Sequence, residues 1–265
     1  MQKTSVRHRT SRRIRSLGQH MLVSEEIANK IVDASDVNSN DTVLEIGTGS
    51  GMITGKLASR VKNVRSYEVD EQLFLEARSS FSRIPNLEII LGDAFDSKFN
   101  EEFDVCVTSL PYSQSLKFAK WLCIRSGKFH HAVAVLQSEF AQKLVAEPGK
   151  DSYRAVSVMS QLSFKIERLF SIGREAFDPQ PRVTSEAVRF YPRNELGKLE
   201  MDETKIRLLN FLFSFRGRHA SSALKKINKN SIFRIASIEV LNKRVENLSL
   251  EEFSFLLKGI ERNQV

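Results

Sequence analysis

The chain has 265 residues, of which 41% are hydrophobic and 27% charged, and a formal net charge of +8. That length holds one large domain, or a large one with a small appendage, and the composition is that of a folded globular protein. No apolar run approaches the ~20 residues of a membrane helix, no secretory signal is present, and Cys106 and Cys123 have neither metal nor redox spacing, so the chain reads as cytoplasmic and reduced.

The first seventeen residues carry six Lys and Arg side chains and no acid, which predicts a basic tail at 1–17 that favours a polyanionic partner. An Arg- and Ser-rich start also resembles a short transit peptide, but a motif used below begins directly after it. Residues 24–33 are expected to form a helix. Ser24 suits the N-cap, Glu25 and Glu26 the first turn, and Ile27, Ala28, Ile31 and Val32 share a face. A regular rhythm follows, with strands at 42–46, 64–68, 87–91, 104–108 and 132–136 and helices near 52–61, 71–81 and 115–125. Strands alternating with helices predict an α/β domain, a parallel sheet with helices on both faces. The segment "FDPQPRVTSEAVRF", 177–190, is a proline-bracketed loop leading to a late strand that is expected to close the sheet as an antiparallel hairpin. After Tyr191-Pro192 the strand signal ends. Helices are predicted at 203–215, 219–229 and 249–258, the last opened by a capping box of Ser249 and Glu252. The expected organisation is a tail at 1–17, a sheet domain at 18–192 and a small all-helical domain at 193–265, which carries fourteen Lys/Arg against nine Asp/Glu.

Chemistry-bearing residues stand at the ends of consecutive strands. In "VLEIGTGSG", 43–51, an apolar strand runs into a glycine turn that lets backbone approach a ligand. Glu68 ends the next strand, where it is suited to accept both hydroxyls of a ribose. Dinucleotide enzymes use the same two features. Here, however, Gly47, Gly49 and Gly51 form G-x-G-x-G and lack the third glycine of G-x-G-x-x-G, which suits a nucleoside without a pyrophosphate. In "LGDAF", 91–95, Asp93 ends the third strand and is suited to accept from an adenine amino group. Together these point to S-adenosylmethionine, against the plainer reading of glycines that only turn the chain and an aspartate common in turns. A further strand ends in "FDVCVTSLPYS", 103–113. Pro111 cannot donate to a ladder and stops the strand, which leaves Tyr112 where open α/β sheets bind ligands.

Further stretches complete the pattern: "GQHML" at 18–22, "LQSEFAQKLVAEPGKDSYRAVSVM" at 136–159, "FDPQPRVTS" at 177–185, "FSFRGRHASSALK" and "RVENLSLEEF". Nearly end to end, the chain resembles the rRNA adenine N6-dimethyltransferase family (KsgA/Erm type), nearer its archaeal and eukaryotic branch. The resemblance implies a Rossmann-like S-adenosylmethionine-dependent methyltransferase sheet with a small C-terminal helical RNA-binding domain. It implies cofactor contacts from His20, Leu22, Gly47, Glu68, Asp93 and Ser109; His20 gains this role from the resemblance alone. The family's catalytic N-L-P-Y motif falls on Ser109, Leu110, Pro111 and Tyr112.

The amino lone pair of adenine is delocalised into the ring and is a poor nucleophile. By the resemblance, the side chain at 109 and the Leu110 carbonyl accept its two N–H groups, Pro111 helps fix the carbonyl's direction, and Tyr112 stacks on the flipped base. This chain has serine where the family has asparagine. A hydroxyl still accepts, but it is shorter, and loss of one well-placed transition-state hydrogen bond costs roughly 10²–10³ in rate. The expectation is an enzyme that methylates two adjacent adenines near the 3′ end of small-subunit rRNA in ribosome biogenesis, with large-subunit rRNA as the nearby alternative. A weakly active or non-catalytic rRNA-binding assembly or transcription factor is the second reading. Expected partners are rRNA and the small-subunit precursor, met as a monomer and without a membrane. Phosphate contacts are expected from Lys205, Arg207, Arg216, Arg218, Lys225, Lys226, Lys229 and Arg234, whereas Phe211, Phe213 and Phe215 are assigned to the core.

Overall fold

Apolar, β-branched runs bounded by turns build the strands, and a computed structural model describes residues 20–96, 99–193, 199–226 and 238–261. The basic tail, Gly18 and Gln19 of the first motif, and Lys229 and Arg234 lie outside the described residues. The strands are β1 (Met21–Leu22), β2 (Thr42–Ile46), β3 (Asn63–Glu68), β4 (Leu87–Leu91), β5 (Val105–Thr108), β6 (His131–Gln137), β7 (Phe164–Ile172), β8 (Phe177–Asp178) and β9 (Ser185–Pro192). Seven of them form one sheet in the order β4-β3-β2-β5-β6-β9-β7, and β1 pairs with β8 in a separate two-stranded ribbon. Strands β4, β3, β2, β5 and β6 are mutually parallel, and β9 runs antiparallel to β6. The expected antiparallel late strand is therefore present next to β6, but β7 lies beyond it and takes the edge of the sheet.

Central strands are buried on both faces, so they read as continuous apolar runs rather than as alternation. Val43, Leu44, Val105, Cys106, Val107 and Ala132 to Leu136 are all essentially buried. Both thiols are buried as well, and burial pushes the Cys123 thiol up to about 12, so neither is poised for redox chemistry.

The helices of this part are α1 (Glu25–Ala34), α2 (Thr54–Ala58), α3 (Glu71–Ser80) and α4 (Ser115–Ile124). Ser24 caps α1, accepting from the Ile27 N–H at 3.3 Å, and Ala28, Ile31 and Val32 form its buried stripe. Asp70 caps α3 by accepting from Gln72 and Leu73, a device worth about 1 kcal/mol. Helix α2 is shorter than expected, because Gly51 and Met52 belong to the turn before it and Ser59 closes it.

Contacts divide the chain into two units, and the division is not one cut near residue 192. The first unit takes residues up to Phe118, 128–141 and 167–191; the second takes 119–127, 142–166 and Pro192 onward. The second unit gathers around α6 (Ala155–Ser163), which follows α5 (Ser138–Leu144) and is buried nearly all round. It buries Val156, Val158, Met159 and Leu162 together with Ser157, Ser160 and Ser163, which makes it the core helix of this unit. Against it pack α7 (Glu203–Phe213) and α10 (Leu250–Glu261), while α8 (Ala220–Lys225) and α9 (Ile238–Asn242) contact one another. Phe213 stacks on Phe253 at 5.5 Å, and the buried Tyr153 donates to the Leu248 carbonyl at 3.0 Å. Phe211, Phe213 and Phe215 are all half-buried, Phe213 packed on Tyr153 and Phe253 and the other two beside one another. The Ser249–Glu252 capping box opens α10 as expected.

Candidate active site

Strand addition runs outward from β2 to β4, then returns to the other side of β2 with β5. The crevice at the carboxyl ends of such a reversal is where open α/β sheets bind ligands. Register brings those ends level, with Ile46 opposite Tyr67 and Thr108, and Glu68 opposite Leu91. Beyond them lies a cleft of about 580 Å³, a volume suited to a small molecule. Its lining includes His20, Gly47, Glu68, Asp93, Ser109, Leu110 and Pro111.

Gly47 leaves β2 with φ +86° and donates to the Tyr67 carbonyl at 2.8 Å. A Cβ at this position would stand 3.3 Å from Leu110 Cδ2, so glycine lets this turn and the 109–112 turn approach each other. Glu68 is 4% exposed. Its Oε2 accepts from the Gly49 N–H, and its Oε1 from the N–H groups of Val69 and Asp70, each at 2.9 Å. Three of about four lone-pair positions on the carboxylate are thereby used, which fixes its orientation and leaves acceptor capacity on the cleft wall.

Asp93 is exposed and takes a backbone N–H from Phe95 at 2.8 Å. Its other oxygen accepts from the Lys117 ammonium at 2.7 Å, and Lys117 also lies 5.0 Å from the centre of the Phe95 ring. The acceptor expected to read an amino group is therefore shared with a cation that the sequence did not single out.

The β1–β8 ribbon carries His20 to the 177–185 loop, where its Nδ1–H donates to the Pro179 carbonyl at 2.7 Å. Leu22 packs in the core cluster and does not line the main cleft. It borders a small neighbouring cavity of about 30 Å³ together with His20, Gly47 and Ser109.

After Thr108, whose hydroxyl donates to the Ile46 carbonyl at 2.7 Å, Pro111 ends the extended segment. Residues Tyr112–Gln114 form one 3-10 turn leading into α4. Tyr112 does not line the large cleft. Its ring lies 5.5 Å from that of His20 at 34°, and its hydroxyl is 2.7 Å from Ser185 Oγ. Burial raises the Tyr112 hydroxyl above its ordinary range and Ser185 partly offsets this, so the phenol stays protonated near neutrality.

Glu45 went unremarked in the sequence. It sits within β2, 1% exposed, and accepts from Thr54 Oγ1 at 2.7 Å and Ser66 Oγ at 2.6 Å; Thr48 Oγ1 lies 2.6 Å from the same Ser66. Burial raises its carboxyl to about 7, opposed by the two hydroxyls. The signal was a glutamate inside an apolar strand, immediately ahead of the glycine turn.

Comparison with known proteins places this geometry. Residues 10–261 match the family described as ribosomal RNA adenine dimethylase. A probable ribosomal RNA small subunit methyltransferase A of Thermococcus gammatolerans is 35% identical over 245 residues, which is 90% of this chain and 86% of that protein. A probable dimethyladenosine transferase of Dictyostelium discoideum is 36% identical, over 91% of this chain and 74% of its own. Among solved structures, a dimethyladenosine transferase from Plasmodium falciparum superposes with TM-score 0.78 at 25% identity, covering 93% of this chain and 99% of that one. The 23S rRNA methyltransferase ErmE shares the fold, with TM-score 0.64 at 24% identity over 91% and 99% of the two chains. The motifs and the fold thus lead to one conclusion, that the chain belongs to the ribosomal RNA adenine dimethylase family.

Proposed function

We propose that this protein transfers methyl groups from S-adenosylmethionine to N6 of adenines in ribosomal RNA, at two adjacent adenines near the 3′ end of the small-subunit RNA. The observation that carries the reading is one juxtaposition. A nucleoside-sized cleft at the strand ends is bordered by the Ser109-Leu110-Pro111 turn, with the Tyr112 ring immediately beyond.

The residues present fit the cofactor. Gly47 leaves the cleft wall free of a side chain, Glu68 is an oriented buried acceptor for ribose hydroxyls, and Asp93 is an acceptor at the far end for an amino group. When bound, S-adenosylmethionine supplies an electrophilic methyl group on a sulfonium. The chain supplies acceptors and a platform. Ser109 and the Leu110 carbonyl, which border the cleft, would accept from the amino group of the target base, drawing its nitrogen toward a tetrahedral geometry. Pro111 removes a donor and stiffens that turn, and Tyr112 offers a ring for an unstacked base.

Radiolabelled methyl transfer to undermethylated small ribosomal subunits tests this directly. N6-methylated adenines counted by mass spectrometry should accumulate near the 3′ end of the small-subunit RNA. Absence of transfer with RNA binding intact would overturn the catalytic reading, and methylation confined to large-subunit RNA would overturn the target.

A further inference from the structure

The segment between β8 and β9 meets both aromatic rings beside the cleft. Its Pro179 carbonyl holds the His20 imidazole at 2.7 Å, and Ser185, at the start of β9, holds the Tyr112 hydroxyl at the same distance. Ser185 is fully buried. It stands opposite Gln137 in the β6–β9 ladder. The neighbouring Thr184 is tied to Ser138, whose N–H and hydroxyl reach its carbonyl at 3.1 and 3.2 Å and whose hydroxyl lies 3.0 Å from its own. The anchor is thus set in the sheet, whereas Tyr112 belongs to a single 3-10 turn, a short and weakly bonded element.

A buried hydroxyl in a strand is costly unless it is paired, and the partner here is a side chain 73 positions away. We propose that Ser185 is a positioning residue which, through the Tyr112 hydroxyl, fixes the tilt of the ring that receives the target base. The role rests on the methyl-transfer reading, since it assigns Tyr112 to base stacking. An untethered phenol turns about its side-chain torsions, and a small misplacement of a stacked base moves its amino nitrogen away from the attack line. The same loop fixes His20, so one segment sets the mutual geometry of both rings.

The chain has four tyrosines, so carbon-13 labelling of tyrosine yields a spectrum in which Tyr112 is identified by its disappearance in Tyr112→Phe. Ser185→Ala should shift or broaden the Tyr112 ring resonances without any RNA present. In single-turnover methyl transfer on small subunits, Ser185→Ala and Tyr112→Phe should each slow the reaction by roughly ten- to hundredfold, with S-adenosylmethionine affinity by calorimetry nearly unmoved. Combining them should add no more than about a further twofold, because both remove the same bond. Tyr112→Phe cuts that bond from the other side and keeps the test sound where Ser185→Ala folds poorly. Unchanged ring resonances, multiplicative losses in the double variant, or an equal loss of cofactor affinity would each overturn the proposal. A wild-type protein that transfers no methyl would instead overturn the methyl-transfer reading, while the ring resonances would still show whether Ser185 holds Tyr112.

Discussion

Ser109 replaces the amide of the motif it resembles with a hydroxyl, at the point where β5 gives way to the proline turn. An asparagine side chain reaches further and presents its acceptor in a rigid plane, whereas a hydroxyl accepts at shorter reach. If the amino group's acceptor limits the rate, Ser109→Asn should raise single-turnover methyl transfer by about tenfold or more, up to the roughly 10²–10³ that one transition-state hydrogen bond is worth. The gain should appear in the methyl-transfer step itself, since that bond acts in the transition state. A loss of activity would mean the pocket is built around the hydroxyl and that serine is the working residue. Glu45 allows a second prediction at this scale. Its carboxyl is raised from the ordinary 4.5 to about 7 in the folded protein, so between those values the folded state holds a proton that the unfolded chain has released. Stability therefore falls as pH rises from 4.5 to 7 and levels off above, by at most ~3 kcal/mol at 1.36 kcal/mol per pKa unit. Urea midpoints measured from pH 5 to 8 should decline in the wild type and run flatter in Glu45→Gln; parallel curves would show that Glu45 does not titrate there.

At the scale of elements, the third glycine of the turn is required by packing. Gly51 has φ +75°, and a Cβ there would come within 2.6 Å of the Phe81 ring at the end of α3. Gly51→Ala should cost about 1–3 kcal/mol from backbone strain and overpacking together, read as a lower melting temperature. Phe81→Ala added to it should recover the steric part and leave the backbone part, so the two changes should not be additive. A fully additive pair would place the cost elsewhere. Elements with a one-sided pattern, such as α1 with its buried Ala28, Ile31 and Val32, are legible in the sequence, as are short apolar strands between turns. Helix α6 and strand β7 are not. The helix is buried on nearly every side and shows no stripe, and it runs straight into the strand, Ser163 to Phe164, with no turn residue to mark the change. Strand β7 lies at the sheet edge, half exposed, with Lys165, Glu167 and Arg168 blurring its alternation. The same logic applies to the cleft. Gly47, Glu68 and Asp93 are legible because each stands at a strand end, whereas Ser109 takes its cofactor role from the family resemblance. Lys117 and Ser185 are not legible, because their partners lie 24 and 73 positions away and no local pattern encodes such pairings.

For the whole molecule, charge decides what can meet RNA, and the structure sorts the basic residues of the second unit by occupation. Arg216 pairs with Glu246 at 3.1 Å and Asp151 at 3.6 Å and donates to the Lys150 carbonyl at 3.0 Å. Lys205 is buried and paired with Asp202 at 2.5 Å. Both of these expected phosphate contacts are instead internal braces. Arg207, Arg218, Lys225 and Lys226 remain exposed, and Lys226 lies 5.1 Å from the centre of the half-buried Phe215 ring. Each phosphate contact contributes about 0.7–0.9 to the slope of log K against log salt. Reversing Arg218, Lys225 and Lys226 together to Glu should therefore weaken RNA binding and flatten that slope by about two, while S-adenosylmethionine affinity stays in place. Arg216→Glu should behave differently. It sets a carboxylate against Glu246 and Asp151, so it should lower the melting temperature and affect RNA binding chiefly through that loss. Filter binding across several salt concentrations, run beside thermal melts, separates the two classes. An unmoved affinity and slope in the triple variant would show that this face is only solvated and that RNA is held by another surface.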